Sequence, residues 1–205
     1  MKDTEKKYQA GNEALLLLEQ GHLESAYALL HQHRIAVDLQ ALAGLIADCA
    51  RQAAVAKEKG EIRSATMLRR RVESLTMFRD QGVITEKCIS FCMLAEGYRG
   101  KILIVSVKGN WIEARTCLRS GDDWHIEILK SFEEEVYDYG FENFQIIPRG
   151  GAFAAFRQDG SIVLSGSSEA FGPCPMETAA GLIRITYPGR RVYCSDTGCH
   201  VNLKT

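Results

Sequence analysis

The stretch Ser165-Gly-Ser-Ser-Glu-Ala-Phe-Gly-Pro-Cys-Pro175 leads from an apolar run into a helical one. Serines and glycines on such a turn present backbone N–H groups and hydroxyls at the positive end of a helix, a combination suited to an anion. The same residue types also build ordinary strand-to-helix turns, and both readings stand at this point. Arg69-Arg70-Arg71, on a helical stretch, offers either a phosphate-reading patch or a solvated helix face. Thiols are the other reactive groups. Cys88 and Cys92 sit one helical turn apart beside Phe91 and Met93, in the manner of core thiols, and Cys194, Cys199 and His200 lie near the C-terminus. Neither set has the paired spacing of a zinc site, so neither a metal nor a cofactor is expected.

The elements that would position these groups follow from where the helix breakers fall. All four prolines lie beyond residue 147, and of the 18 glycines only Gly11, Gly21, Gly44, Gly60 and Gly82 precede residue 96. Residues 1–95 can therefore hold long helices, whereas residues 96–205 require many turns. In the first region, apolar residues recur at helical spacing from Tyr8 to Gln20, from Leu23 to Leu30, from Leu42 to Ala56 and from Ile62 to Leu75, with Gly21 and Gly60 at the breaks. Glu19-Gln-Gly-His-Leu-Glu-Ser-Ala26 and Glu58-Lys-Gly-Glu-Ile-Arg-Ser-Ala65 match at an offset of 39 residues. Glycine in the turn and alanine where two helices touch give two helical hairpins. The pattern resembles a tetratricopeptide-type hairpin, although that family's repeat is about 34 residues and its aromatic positions are unfilled here. It serves either as an antiparallel bundle or as a surface for a protein partner or self-association.

In the second region, Lys101 to Val107 is an apolar run of strand length and Ile112 to Leu118 alternates, with a hairpin through Gly109-Asn110. Asp122 or Asp123 can cap a helix that starts near Trp124 and carries His125, Ile128, Leu129, Phe132 and Val136 on roughly one face. Phe144–Ile147, Gly151–Phe156, Ser161–Ser165 and Arg190–Cys194 read as strands, and Cys174–Thr186 as a helix opened by prolines. The expected class is α+β: an all-α hairpin region over 1–95, then a mixed sheet with two helices over 96–205.

Composition narrows the function classes. Hydrophobic residues make up 46% and charged residues 25% of 205, with a formal net charge of −1, so bulk charge gives no case for nucleic acid or an acidic membrane. The polar start Met1-Lys-Asp-Thr-Glu-Lys-Lys-Tyr-Gln9 and seven irregularly spaced cysteines fit a cytoplasmic chain with reduced thiols.

Gly150-Gly151, Gln158-Asp159, Ile162, Gly166, Ser168, Ala170, Phe171-Gly172-Pro173, Ile183 and Tyr187-Pro188, in that order and spacing, resemble the janus/ocnus family of phosphohistidine phosphatase-like proteins. The likeness spans roughly residues 97–200 and reaches Lys101 at the head of an apolar strand and Trp124-His125-Ile-Glu127. It implies a phosphohistidine phosphatase-like fold and a metal-independent hydrolase acting on the P–N bond of a phosphorylated protein or peptide. On the same resemblance His125 is the essential histidine, while Lys101, Ser168, Ala170 and Gly172 hold the phosphate. A neutral imidazole attacks phosphorus or takes a proton from water while N–H, hydroxyl and ammonium groups stabilise the phosphoryl oxygens. Ser167, Arg149 and Arg157 are auxiliary candidates, and Glu127 is an orienting or solvated carboxylate. Two departures point to the alternative, a non-catalytic phospho-ligand or protein-interaction module. Ala152 stands where the family has an arginine, and Glu169 puts a carboxylate in the anion loop.

Overall fold

The computed structural model describes residues 2–121 and 124–195. It is an α+β protein with six α-helices among the described residues, four of them N-terminal, and a mixed eight-stranded sheet. The chain divides into two units that interleave along the sequence: residues 1–88, 109–111 and 134–144 form the first, and residues 89–108, 112–133 and 145–205 the second.

The first unit is built on α1 (Lys2–Gln20), α2 (Leu23–His33), α3 (Leu39–Glu58) and α4 (Ile62–Gln81). Helix α1 packs on α2, α3 on α4, and α1 touches α3. Breaks fall at Gly21 and Gly60, with φ of +90° and +76°, where glycine alone enters without strain. Asp38 caps α3 by accepting from the N–H groups of Gln40 and Ala41 at 2.9 and 3.0 Å. The alanines of the matched segments, Ala26 and Ala65, are buried, as are Leu18, Leu23, Leu42, Leu75 and Phe78.

Within the arginine run, Arg69 is exposed on the helix, whereas Arg70 and Arg71 are taken up inside the protein. Arg70 pairs with Asp138 at 3.0 Å and Glu135 at 3.9 Å, carboxylates whose side chains are 4% and 5% exposed. Arg71 donates to the carbonyl oxygens of Glu19 and Gln20 and so closes the C-terminal end of α1. Buried carboxylates take up Arg70, and orphan carbonyls take up both terminal nitrogens of Arg71, whose Nε is buried with no hydrogen-bond partner among the described residues.

The second unit's sheet contains β1 (Cys92–Met93), β2 (Arg99–Gly109), β3 (Arg115–Ser120), β4 (Phe144–Phe156), β5 (Ile162–Ser165), β6 (Ser167–Ser168), β7 (Gly172–Pro173) and β8 (Val192–Ser195). The order is β1-β3-β2-β4-β5-β8, with β7 paired to β4 and β6. Strands β2 and β3 are antiparallel, as are β4 and β5, whereas β5 and β8 run parallel. Two helices cover the sheet: α5 (His125–Asp138) and α6 (Met176–Thr186). Ile102, Ile104, Leu118, Ala152, Ala154 and Leu164 share a buried cluster with Ala179, Ala180 and Ile183 of α6. On the opposite side of β3, Arg119 lies with its guanidinium 4.3 Å from the centre of the Phe132 ring of α5. Side chains alternate across a strand, so Gly151 faces the side away from the Ala152–α6 cluster.

Several spans differ from expectation. The segments 144–147 and 151–156 are one strand, β4, which passes through Pro148 and Gly150. Gly150, at φ +127°, makes that passage possible: a Cβ there would stand 2.0 Å from the Pro173 carbonyl oxygen of β7. Strand β3 begins at Arg115 rather than Ile112, because the chain after β2 is diverted where the Asn110 N–H donates to the Asn143 carbonyl. Cys88 and Cys92 do not share a helix. Gly82 ends α4, Cys88 closes a short 3-10 turn, and Cys92 opens β1. Helix α6 starts at Met176 and β8 at Val192. The proposed caps Asp122 and Asp123, and the thiol and imidazole of Cys199 and His200, lie outside the described residues. Among the described residues no helix is long and apolar enough to cross a membrane.

Candidate functional site

The serine-rich stretch is not a turn feeding a helix. Ser167–Ser168 and Gly172–Pro173 pair antiparallel as a miniature hairpin, with Ser168 opposite Gly172, and α6 begins three residues beyond Pro173. Within this hairpin the Phe171 N–H donates to Ser168 Oγ at 3.2 Å. The hydroxyl thus accepts a bond that tightens the loop and keeps its own hydrogen to donate. Gly172, at φ +76°, permits the return of the chain.

The helix start beside this hairpin is that of α5. His125 is its first residue and is 8% exposed. A Cβ on Gly151 would lie 2.5 Å from both Cδ2 and Nε2 of the His125 ring and 2.9 Å from Ser168 Cβ. Three segments, at 125, 151 and 168, therefore converge on one point, and the absence of a side chain at 151 admits the ring. His125 Nε2 lies 3.2 Å from the Ala152 carbonyl oxygen. A carbonyl can only accept, so this bond places the ring hydrogen on Nε2 and leaves the lone pair of the neutral imidazole on Nδ1.

Lys101 meets Trp124, the residue before His125. Its ammonium nitrogen stands 4.5 Å from the centre of the Trp124 ring, which is 63% exposed. The Tyr98 hydroxyl donates to the Lys101 carbonyl at 2.7 Å and accepts from the Gly121 N–H at 3.1 Å, tying the head of β2 to the segment that precedes α5.

The other candidates fall on both sides of this boundary. Ser167, Glu169 and Ala170 are exposed residues of the hairpin, and Gly172 is half-buried. The Glu169 carboxylate is therefore solvated. Ala152 is 2% exposed and packs in the α6 cluster, so this position carries no charge. Arg149 is an exposed residue of β4 two positions before Gly151. Arg157 is not near the site: it lies six residues past Gly151 at the far end of an extended strand, roughly 20 Å away along the chain. Glu127 pairs with Lys130 on the surface of α5 at 2.8 Å. Among the described residues no group of three or more His, Cys, Asp or Glu side chains is placed to hold a metal ion.

Gly151 and Trp124 have parts here that their residue types do not announce. The signals that could have found them are a glycine pair within a strand and an aromatic residue directly before a histidine. Compared with protein-family models and with curated proteins, the chain gives no match.

Proposed function

We propose that the second unit is a janus/ocnus-like domain and that it hydrolyses the P–N bond of phosphohistidine on a protein or peptide without a metal ion. The observation that carries this reading is the convergence of the His125 ring, Ser168 and the side-chain-free Gly151, with the Lys101 ammonium held over the neighbouring Trp124. In this reading the Nδ1 lone pair of His125 either attacks phosphorus or takes a proton from the attacking water. The Nε2–H bond to Ala152 keeps the ring in that tautomer. The Ser168 hydroxyl, the Ala170 N–H on the hairpin, the Gly172 turn and Lys101 hold the phosphoryl oxygens, and the N-terminal end of α5 adds its positive dipole. The products are histidine and inorganic phosphate, with water supplying the fourth oxygen. An imidazole leaving group needs less assistance than an alkoxide, which favours a phosphoramidate over a phosphate ester for a site with one histidine.

A phosphohistidine peptide incubated with the protein and a chelator tests the reading. Release of phosphate that is lost in His125→Ala, with the circular dichroism unchanged, is the expected result; equal turnover by the variant removes His125 from the chemistry. The second reading, a phospho-ligand-binding module without turnover, is favoured by one observation: Ala152 puts a core methyl where the family has an arginine. Peptide binding without release, abolished by Lys101→Ala, would decide for the module.

A further inference from the structure

The paired register of β2 and β3 ends at Ile102 opposite Ser120. The next residues outward on the two strands are Lys101 and Gly121, and a side chain stands between them. The Tyr98 hydroxyl donates to the Lys101 carbonyl at 2.7 Å and accepts from the Gly121 N–H at 3.1 Å. A direct N–H to carbonyl bond would hold those two backbone atoms about 2.9 Å apart, whereas an inserted oxygen holds them at roughly 5 Å. One phenol therefore satisfies a backbone donor and a backbone acceptor, and it sets the spacing where the two strands part.

The phenol is itself held from several sides. The Tyr98 N–H donates to the Ala95 carbonyl at 3.1 Å, and the Tyr98 carbonyl accepts from the Phe156 N–H at 3.0 Å. Its ring packs against the buried cluster that includes Ala179, Ala180 and Ile183 of α6. Gly100 gives the ring its room: a Cβ there would stand 2.5 Å from the hydroxyl oxygen and 2.8 Å from Cζ. Both backbone groups that the hydroxyl bridges lead to the site. Lys101 carries the ammonium that stands 4.5 Å from the centre of the Trp124 ring, and Trp124 follows Gly121 by three residues and directly precedes His125.

We propose that Tyr98 is a positioning residue: its hydroxyl fixes the spacing between the head of β2 and the approach to α5, and with it the place of the Lys101 ammonium on the Trp124 ring. Tyr98 acts through Lys101 rather than on the substrate. Its effect on turnover rests on the phosphohistidine reading, in which that ammonium holds a phosphoryl oxygen; its effect on the Lys101–Trp124 contact does not.

The test uses the whole chain and two variants. Tyr98→Phe removes only the oxygen, whereas Gly100→Ala keeps the oxygen and drives the ring from its place. Nuclear Overhauser contacts between the Lys101 ε-methylene and the Trp124 ring report the position, and kcat/KM for a phosphohistidine peptide reports the consequence. Both variants should keep the circular dichroism of the parent, lose most of the Overhauser intensity and lower kcat/KM about tenfold. In a Lys101→Ala background no ammonium remains to be misplaced, so Tyr98→Phe should then change kcat/KM by less than about twofold. Unchanged Overhauser contacts in both variants overturn the proposal. So does an equal tenfold loss in the Lys101→Ala background, which would make Tyr98 a general structural residue. If the parent chain releases no phosphate, the phosphohistidine reading fails and the Overhauser contacts alone decide the part of Tyr98.

Discussion

Replacing Gly151 by alanine asks directly whether the His125 ring occupies the space that the glycine leaves. The new methyl would stand 2.5 Å from Cδ2 and Nε2 of His125 and 2.9 Å from Ser168 Cβ. Ordinary carbon contacts are about 3.5–4.0 Å, so something must retreat by roughly 1 Å. The ring is the easier part to move, because Ser168 belongs to a hairpin paired through Gly172 and Pro173 with β4. Overpacking of this kind costs about 1–3 kcal/mol. Misplacing a reacting group by roughly 1 Å costs on the order of a hundredfold in rate. Gly151→Ala should therefore lower the urea-unfolding free energy by about 1–3 kcal/mol, cut phosphate release about a hundredfold and shift the His125 imidazole nitrogen resonances as the Nε2–Ala152 bond is lost. In a His125→Ala background the alanine at 151 meets only Ser168, and its penalty should shrink, giving a coupling of about 1 kcal/mol in a double-mutant cycle. Additivity within about 0.3–0.5 kcal/mol, together with unchanged imidazole signals, would show that the ring does not rest on Gly151.

Three further changes probe other parts of the molecule. Trp124→Leu removes the ring beneath the Lys101 ammonium. Because Trp124 is exposed, stability should change by less than about 0.5 kcal/mol, while KM for a phosphohistidine peptide rises a few-fold, in keeping with a cation–π contact of about 0.5–1 kcal/mol; the same rise in a Lys101→Ala background would break the link between the two. Arg70→Met strips a partner from Glu135 and Asp138 while leaving Arg63 on Asp138. A loss of about 3 kcal/mol in urea unfolding is expected, with partial rescue by adding Asp138→Asn, and an unaltered midpoint refutes the structural role. Burial pushes the Cys174 thiol up to about 11 from an ordinary 9.0, with Cys194 as a smaller contributor. The fold holds that proton more tightly than the unfolded chain, so the associated stability is complete below about pH 9 and is lost as pH rises through about 11. Cys174→Ala should flatten that alkaline decline, and iodoacetamide at about pH 8 should label the exposed Cys194 well before Cys174.

Local physics made much of the fold legible. Helical apolar spacing, the breaks at Gly21 and Gly60 and the strand-length run after Lys101 each reflect constraints that act within a few residues. The chemical candidates were legible through the family resemblance rather than through local pattern, because a histidine opening an amphipathic helix, a serine–glycine loop and a lysine heading a strand each have an ordinary structural reading. Gly150 hid the continuity of β4, because a glycine pair after a proline reads locally as a break, and its reason for being there is the oxygen of Pro173 two dozen residues away.

The remainder depends on contacts between distant segments. Arg70 is a surface residue by its helix and a buried-carboxylate partner by its surroundings, which no spacing rule encodes. That residues 109–111 and 134–144 group with the helices is likewise a matter of long-range contact, and from it comes a cavity lined by Glu24, Trp111 and Asn143. Sequence alone determined which elements would carry the candidate residues, because propensity and periodicity are local, while the candidates themselves came from an order and spacing of residues that resemble a known family. Tertiary structure decided that His125, Gly151 and Ser168 share one point while Arg157 stands apart, because packing brings together segments whose separation along the chain says nothing about their distance in space.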